Sequence, residues 1–102
     1  MDRRLQLQDE LEQLLGSEEV NFQPPETIKL KYPCINYSKN AGDTLHADDR
    51  KYRRLQGYSI TVISRDPDNT LAEDVLNHFR YCRYVRRFVY DNLYHDILEL
   101  FY

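Results

Sequence analysis

The stretch Tyr58-Ser59-Ile60-Thr61-Val62-Ile63-Ser64, followed by Arg65-Asp66-Pro67-Asp68-Asn69-Thr70, constrains the fold of this 102-residue chain most strongly. Tyr58, Ile60 and Val62 share one parity, with Ser59 and Thr61 on the other. That is the period-2 pattern of a half-buried strand, built from β-branched and aromatic residues. Ile63 thickens the apolar run, as expected of a strand central in its sheet. Asp66-Pro67-Asp68-Asn69 stops it with turn chemistry. Thr70-Leu71-Ala72-Glu73 fits a capping box and predicts a helix start at Thr70. Asp66 and Asp68 therefore read as turn residues rather than as a catalytic pair.

A chain of this length predicts one domain with one core. Its 14 basic and 17 acidic residues give a formal charge of −3. That balance lacks the positive excess of a phosphate-tracking protein, so sequence-specific nucleic-acid binding is not expected. No apolar run reaches membrane-helix length, and the N-terminus is charged rather than signal-like, so no membrane partner is expected either. Cys34 and Cys82 have no CxxC spacing and are expected to be reduced thiols. Nine tyrosines without a tryptophan suit protein–protein surfaces, since tyrosine covers apolar area and keeps a polar tip.

Residues 1–15 read as a helix whose stripe is Leu7, Leu11, Leu14 and Leu15, with Gly16 as its stop. The stripe is too short for a coiled-coil seam and is expected to pack on a sheet. Residues 17–27 read as a linker holding a short extended piece, Val20-Asn21-Phe22, and the Pro24-Pro25 pair. It lets the helix dock on its own subunit or on a neighbour. A first long strand is predicted from Thr27 to Ser38, with Ile28, Leu30 and Tyr32 on one face. Its phase shifts across Pro33-Cys34, which predicts a bulge or an edge position there. Lys39 to Arg50 reads as a long polar loop, expected to be functional. Lys51 to Arg65 is the second strand, opening on the basic run Arg50, Lys51, Arg53 and Arg54. Thr70 to Arg80 is the second helix, with Leu71, Val75, Leu76 and Phe79 on its apolar face and His78 outside. Tyr81 to Tyr102 reads as a hairpin turning at Asp91-Asn92. Its first arm places Cys82, Tyr84, Phe88 and Tyr90 on one parity, a face that Arg86 interrupts. Its second arm is apolar on both faces, which predicts cover by another subunit. The fold class is α+β, an antiparallel sheet with helices on one face in the order α-β-β-α-β-β. Residues 1–16 form the N-terminal helix, 17–27 the linker and 28–102 the core.

No nucleophile elbow, P-loop, dinucleotide turn or HExxH occurs. His46, Asp48 and Asp49 are one cluster with metal-ligand chemistry, yet neighbouring residues seldom converge on one ion. Asp91, His95 and Asp96 gather at a hairpin turn, where a dyad would be exposed. No catalytic, cofactor or metal site is assigned, and a structural or binding role is expected rather than an enzyme.

Four strings carry a resemblance. They are Lys31-Tyr32-Pro33-Cys34-Ile35-Asn36-Tyr37, Ala47-Asp48-Asp49-Arg50-Lys51-Tyr52, Tyr58 through Asp66-Pro67-Asp68, and Asp91-Asn92-Leu93-Tyr94-His95. In this order and spacing they resemble the small tail terminator, or tail completion, proteins of long-tailed bacteriophages, over about residues 28–102. Tyr94 and the lead Phe79-Arg80-Tyr81 depart from that pattern. The resemblance implies a virion protein that assembles as a ring, typically a hexamer, at the head-proximal end of the tail tube, after time in the host cytoplasm. It implies as partners other copies of itself, the tail tube protein and the head–tail connector. A head-closure ring of the same virion and a small non-enzymatic binding module are the rival readings. A ring needs two different patches per subunit. The candidates are Tyr84, Arg86 and Phe88 on the hairpin, Arg50, Arg53 and Arg54 in the basic run, and Asp43, His46, Asp48 and Asp49 in the loop.

Overall fold

A computed structural model describes residues 3–24, 29–46 and 54–102. The order is α1 (Arg3–Leu15), β1 (Val20–Phe22), β2 (Cys34–His46), β3 (Arg54–Ser64), α2 (Leu71–His78), β4 (Cys82–Tyr90) and β5 (Leu93–Phe101). The class is α+β. The five strands of the described residues form one sheet in the order β1-β2-β3-β5-β4. The stretch from Tyr58 to Ser64 is its middle strand, as its unbroken apolar pattern predicts.

One face of the sheet carries the core. Ile35 and Tyr37 of β2, Tyr58, Ile60 and Val62 of β3, and Leu98 and Leu100 of β5 pack there against Leu7 and Leu11 of α1 and Leu71 and Val75 of α2. The leucine stripe thus packs on its own sheet, with Leu14 and Leu15 partly buried beside it. Gly16 ends α1 at φ +80, and its N–H donates to the Glu12 carbonyl at 2.8 Å. That left-handed conformation suits glycine.

The strand boundaries correct the sequence expectation in three places. First, Val20–Phe22 is not linker but an edge strand, paired parallel to β2 with Val20 opposite Ile35. The sheet is therefore mixed. Second, β2 starts only at Cys34, after Pro33, which has no N–H to donate to a ladder. Third, β2 runs through the expected loop to His46. The irregularity lies at residues 40–43, between the pairs Lys39↔Tyr58 and Thr44↔Gln56. Gly57 alone spans the opposite side. The Gln56 side chain donates to the Asn40 carbonyl at 3.1 Å and stitches the bulge. Local polarity reads as loop, but a facing strand offers its backbone groups a ladder.

The start of α2 also differs. Thr70 makes no side-chain capping bond. Asn69 supplies it instead, its Oδ1 accepting from the Leu71 N–H at 2.6 Å. Asp66 Oδ1 accepts from the Asp68 N–H at 2.9 Å. Ser64 Oγ accepts from the Asp66 N–H at 3.0 Å and from Asn69 Nδ2 at 3.1 Å. Three short polar side chains thus hold the turn. The helix ends at His78, because Phe79 is already extended.

Candidate functional site

The candidate residues on the hairpin separate once the ladder register is known. Tyr84 pairs with Leu98 and Arg86 with Ile97, so Val85 is an extra residue, a bulge. A bulge inverts the face of everything after it. Before it, Cys82 and Tyr84 lie on the helix-bearing face. After it, Arg86, Phe88 and Tyr90 lie on the open face, while Arg87 and Val89 join the helix side. The single parity read from the sequence is therefore broken at Val85, and Tyr84 does not share a face with Arg86 and Phe88.

On the helix side, Tyr84 and Arg87 converge on Asp96, which is 4 % exposed. The Tyr84 hydroxyl donates to Asp96 Oδ1 at 2.5 Å. Arg87 Nε donates to Oδ1 at 2.8 Å and Nη2 to Oδ2 at 3.2 Å, a bidentate fork. Arg87 Nη1 also reaches the Pro67 carbonyl at 3.1 Å, fastening the hairpin to the turn after β3. Burial pushes the Asp96 carboxyl up, but the bonds from Arg87 and Tyr84 outweigh it and hold it below its ordinary value. Burial and Asp96 together push the Tyr84 phenol up. Asp96 is thus a buried ion-pair partner, not the exposed turn residue expected beside Asp91 and His95. Its neighbour His95 faces the other way.

Among the described residues, no helix packs on the open face. On it the His95 and Phe88 rings stack at 4.6 Å with an interplanar angle of 8°, and the Arg86 guanidinium lies 5.2 Å over Phe88. Arg83 Nε donates to Glu99 at 3.0 Å. Toward β2 the same face becomes polar through Asn36, Ser38, Ser59 and Thr61, which line a shallow trough of about 490 Å³ with Gln23 and Lys39. β5 is buried at Asp96, Leu98 and Leu100 on its helix side and only half-buried at Ile97 and Phe101 on its open side.

β4 is an edge strand with an open side. Val85 is 45 % exposed, Val89 59 % and Tyr90 71 %. Asp91 and Asn92 take φ +55 and +61, the two positive values a type I′ turn requires. The turn therefore forms where the sequence places it.

A second polar cluster joins the two helices. His78 Nε2 and Glu10 are 2.9 Å apart, and the Tyr102 hydroxyl donates to the other Glu10 oxygen. Burial alone would raise the Glu10 carboxyl, yet the Tyr102 and His78 bonds hold it low. Burial and the same carboxylate push the Tyr102 phenol up to about 12. The Arg3 guanidinium lies 4.5 Å over the Tyr102 ring. His78 is thus a helix-to-helix tie on the surface, and the short-range sequence pattern carried no sign of its partner at position 10. These groups line a groove of about 240 Å³.

The remaining candidates lie on or beyond the β2–β3 end. Asp43 and His46 belong to β2 and Arg54 to β3, with His46 paired to Arg54 in the ladder. Asp48, Asp49, Arg50 and Arg53 lie outside the described residues. Among the described residues no cluster of three or more histidine, cysteine or acidic side chains is arranged to hold a metal, and no helix is long and apolar enough to cross a membrane. Cys34 and Cys82 are free thiols, each pushed up to about 11, by burial in both and by Glu19 as well at Cys34.

No family model, curated protein or solved structure matches the chain.

Proposed function

We propose that this chain is a non-enzymatic phage tail protein, a tail terminator that forms a ring at the head-proximal end of the tail tube. There it stops tube polymerisation and presents the surface on which the head connector docks. Its partners are other copies of itself, the tube protein and the connector, and its place is the neck end of the virion tail.

The observation that supports this reading best is the uncovered hairpin. β4 offers a nine-residue edge with exposed Val85, Val89 and Tyr90, beside an open sheet face carrying Arg86, Phe88 and His95. An exposed edge templates pairing with another chain, and the Val85 bulge and the arginines restrict which partner can pair with this one. A ring subunit needs such a selective surface for its neighbour. The sequence strings around Tyr58–Asp68 and Asp91–His95 add the resemblance to tail terminators. The buried carboxylate Asp96 and the partly buried Glu10 are each engaged with fixed partners inside the fold, as structural ties are.

Infection with a phage lacking this protein tests the proposal. The expected result is overlong tails that fail to join heads. Tails of normal length lacking heads would instead mark a head-closure ring, and intact virions a host-directed binding module. Either outcome overturns the terminator reading.

A further inference from the structure

The two outer edges of the sheet carry opposite charge. Between Arg4 and Lys29 the sequence has no lysine or arginine but six acidic residues, Asp9, Glu10, Glu12, Glu18, Glu19 and Glu26. Of these, Asp9, Glu12 and Glu18 line one shallow surface hollow of about 270 Å³ with Gln13 and Ser17. That hollow lies at the C-terminal end of α1 and leads directly into edge strand β1. Gln8 orients this corner: its Nε2 donates to Glu12 at 2.9 Å and to the Val20 carbonyl at 2.9 Å. From Phe79 to Tyr90 the pattern inverts, with Arg80, Arg83, Arg86 and Arg87 and no acid. That segment is β4 and its lead, the opposite edge of the same sheet. Arg83 and Arg86 are exposed on it.

We infer that copies of this chain associate head to tail, the basic β4 edge of one seated on the acidic α1–β1 corner of the next. Two physical arguments select this occupant. Glu99 holds Arg83 and Asp96 holds Arg87, so pairing β4 with β4 of another copy would juxtapose chiefly the Arg86 of each, and like charges at an interface are unfavourable. A contact between two different patches is heterologous, and repeated with a closing rotation it makes a ring. The exposed Val85, Val89 and Tyr90 supply apolar area to bury between the charges. The inference deepens the ring reading but rests on it only for closure; the edge-to-edge contact stands or falls independently.

Charge reversal with rescue tests it, using the full chain and its mass in solution. Arg83→Glu with Arg86→Glu puts two glutamates on the β4 edge and removes its net positive charge; Asp9→Lys with Glu18→Lys leaves the hollow at the α1–β1 corner with two lysines and one acid, Glu12. Each double variant is expected to self-associate about 100-fold or more weakly than the wild type. Mixing the two variants is expected to restore assembly, because the new glutamates then face the new lysines and the unaltered arginines of one variant face the unaltered acids of the other. Uniting all four changes in one chain is expected to restore it too. Circular dichroism of each variant verifies folding, and rescue on mixing excludes a folding defect as the cause of weak association. A wild type that stays monomeric at low salt up to its solubility limit would overturn the inference. So would assembly unmoved by either reversal, or the absence of rescue. Normal tail lengths in the infection experiment, together with rescue here, would retain the contact and sink the terminator reading alone.

Discussion

Asp96 shows how much one side chain carries in this protein. Its two oxygens accept from Tyr84 and Arg87, and Arg87 passes the connection on to the Pro67 carbonyl. Replacing it leaves a phenol and a guanidinium beside a neutral amide. Asp96→Asn is expected to cost about 1.5–3 kcal/mol at neutral pH, the range for hydrogen bonds to charged groups. A lower urea midpoint at unchanged slope would register it. The pH dependence follows from the same geometry. A carboxyl whose folded pKa lies below its ordinary 3.8 contributes stability above that value, and the contribution is lost as pH falls through the folded pKa. Thermal scans should therefore show an acid limb below about pH 3.8, and Asp96→Asn should flatten it. An unchanged acid limb in the variant would assign the effect elsewhere, with Glu10 the next candidate. The thiols titrate in the opposite sense: held up to about 11 by burial, they are expected to react slowly with iodoacetamide at pH 8 in the folded chain and fully in urea.

At the scale of the elements, the turn from β3 into α2 separates what a local motif implies from what the chain does. Thr70 and Glu73 have the spacing of a capping box, yet Asn69 makes the bond. The reason lies in the preceding strand. Ser64 Oγ holds Asn69 Nδ2 and so aims the amide oxygen at the first free N–H of the helix. Asn69→Ala is expected to cost about 1 kcal/mol, the usual value of a lost cap, and Thr70→Ala only a few tenths. Equal losses from the two substitutions would restore Thr70 as the cap. The hairpin offers a second case. Asn92 sits at φ +61, where glycine has no steric penalty, so Asn92→Gly should raise stability by about 0.5 kcal/mol. A lower melting temperature would mean that the Asn92 side chain supports the turn in another way.

For the whole molecule, the sheet divides into a covered and an open side. Both helices occupy one face, so the main core forms there, and the other face holds the buried pair Cys34 and Ile63, the Phe88–His95 stack, Ile97 and a polar trough. The edges are unlike each other: β1 is three residues long, with its Val20 carbonyl taken by Gln8, while β4 is nine long and open. Assembly driven by opposed edge charges should weaken as salt rises, because exposed charges are screened within about 10 Å at 0.1 M. Sedimentation across a salt series is the measurement, and salt-independent assembly would point to an apolar contact alone.

The sequence by itself determined the parts whose physics is local. The central strand from Tyr58 to Ser64, both helices with their apolar stripes, the Gly16 stop and the Asp91-Asn92 turn are each set by side-chain period or by backbone preferences within a few residues. Tertiary structure decided what depends on a partner distant in the chain. Val20–Phe22 became a strand because Ile35–Tyr37 offered it a ladder, and residues up to His46 became strand because Arg54–Gln56 faced them. In the sequence Arg86 interrupts the parity of Cys82, Tyr84, Phe88 and Tyr90, but nothing local says that the interruption is an extra residue at Val85. Only the pairing with Leu98 and Ile97 shows that the face inverts there. That inversion sends Tyr84 and Arg87 to the buried carboxylate and leaves Arg86 and Phe88 on the open face.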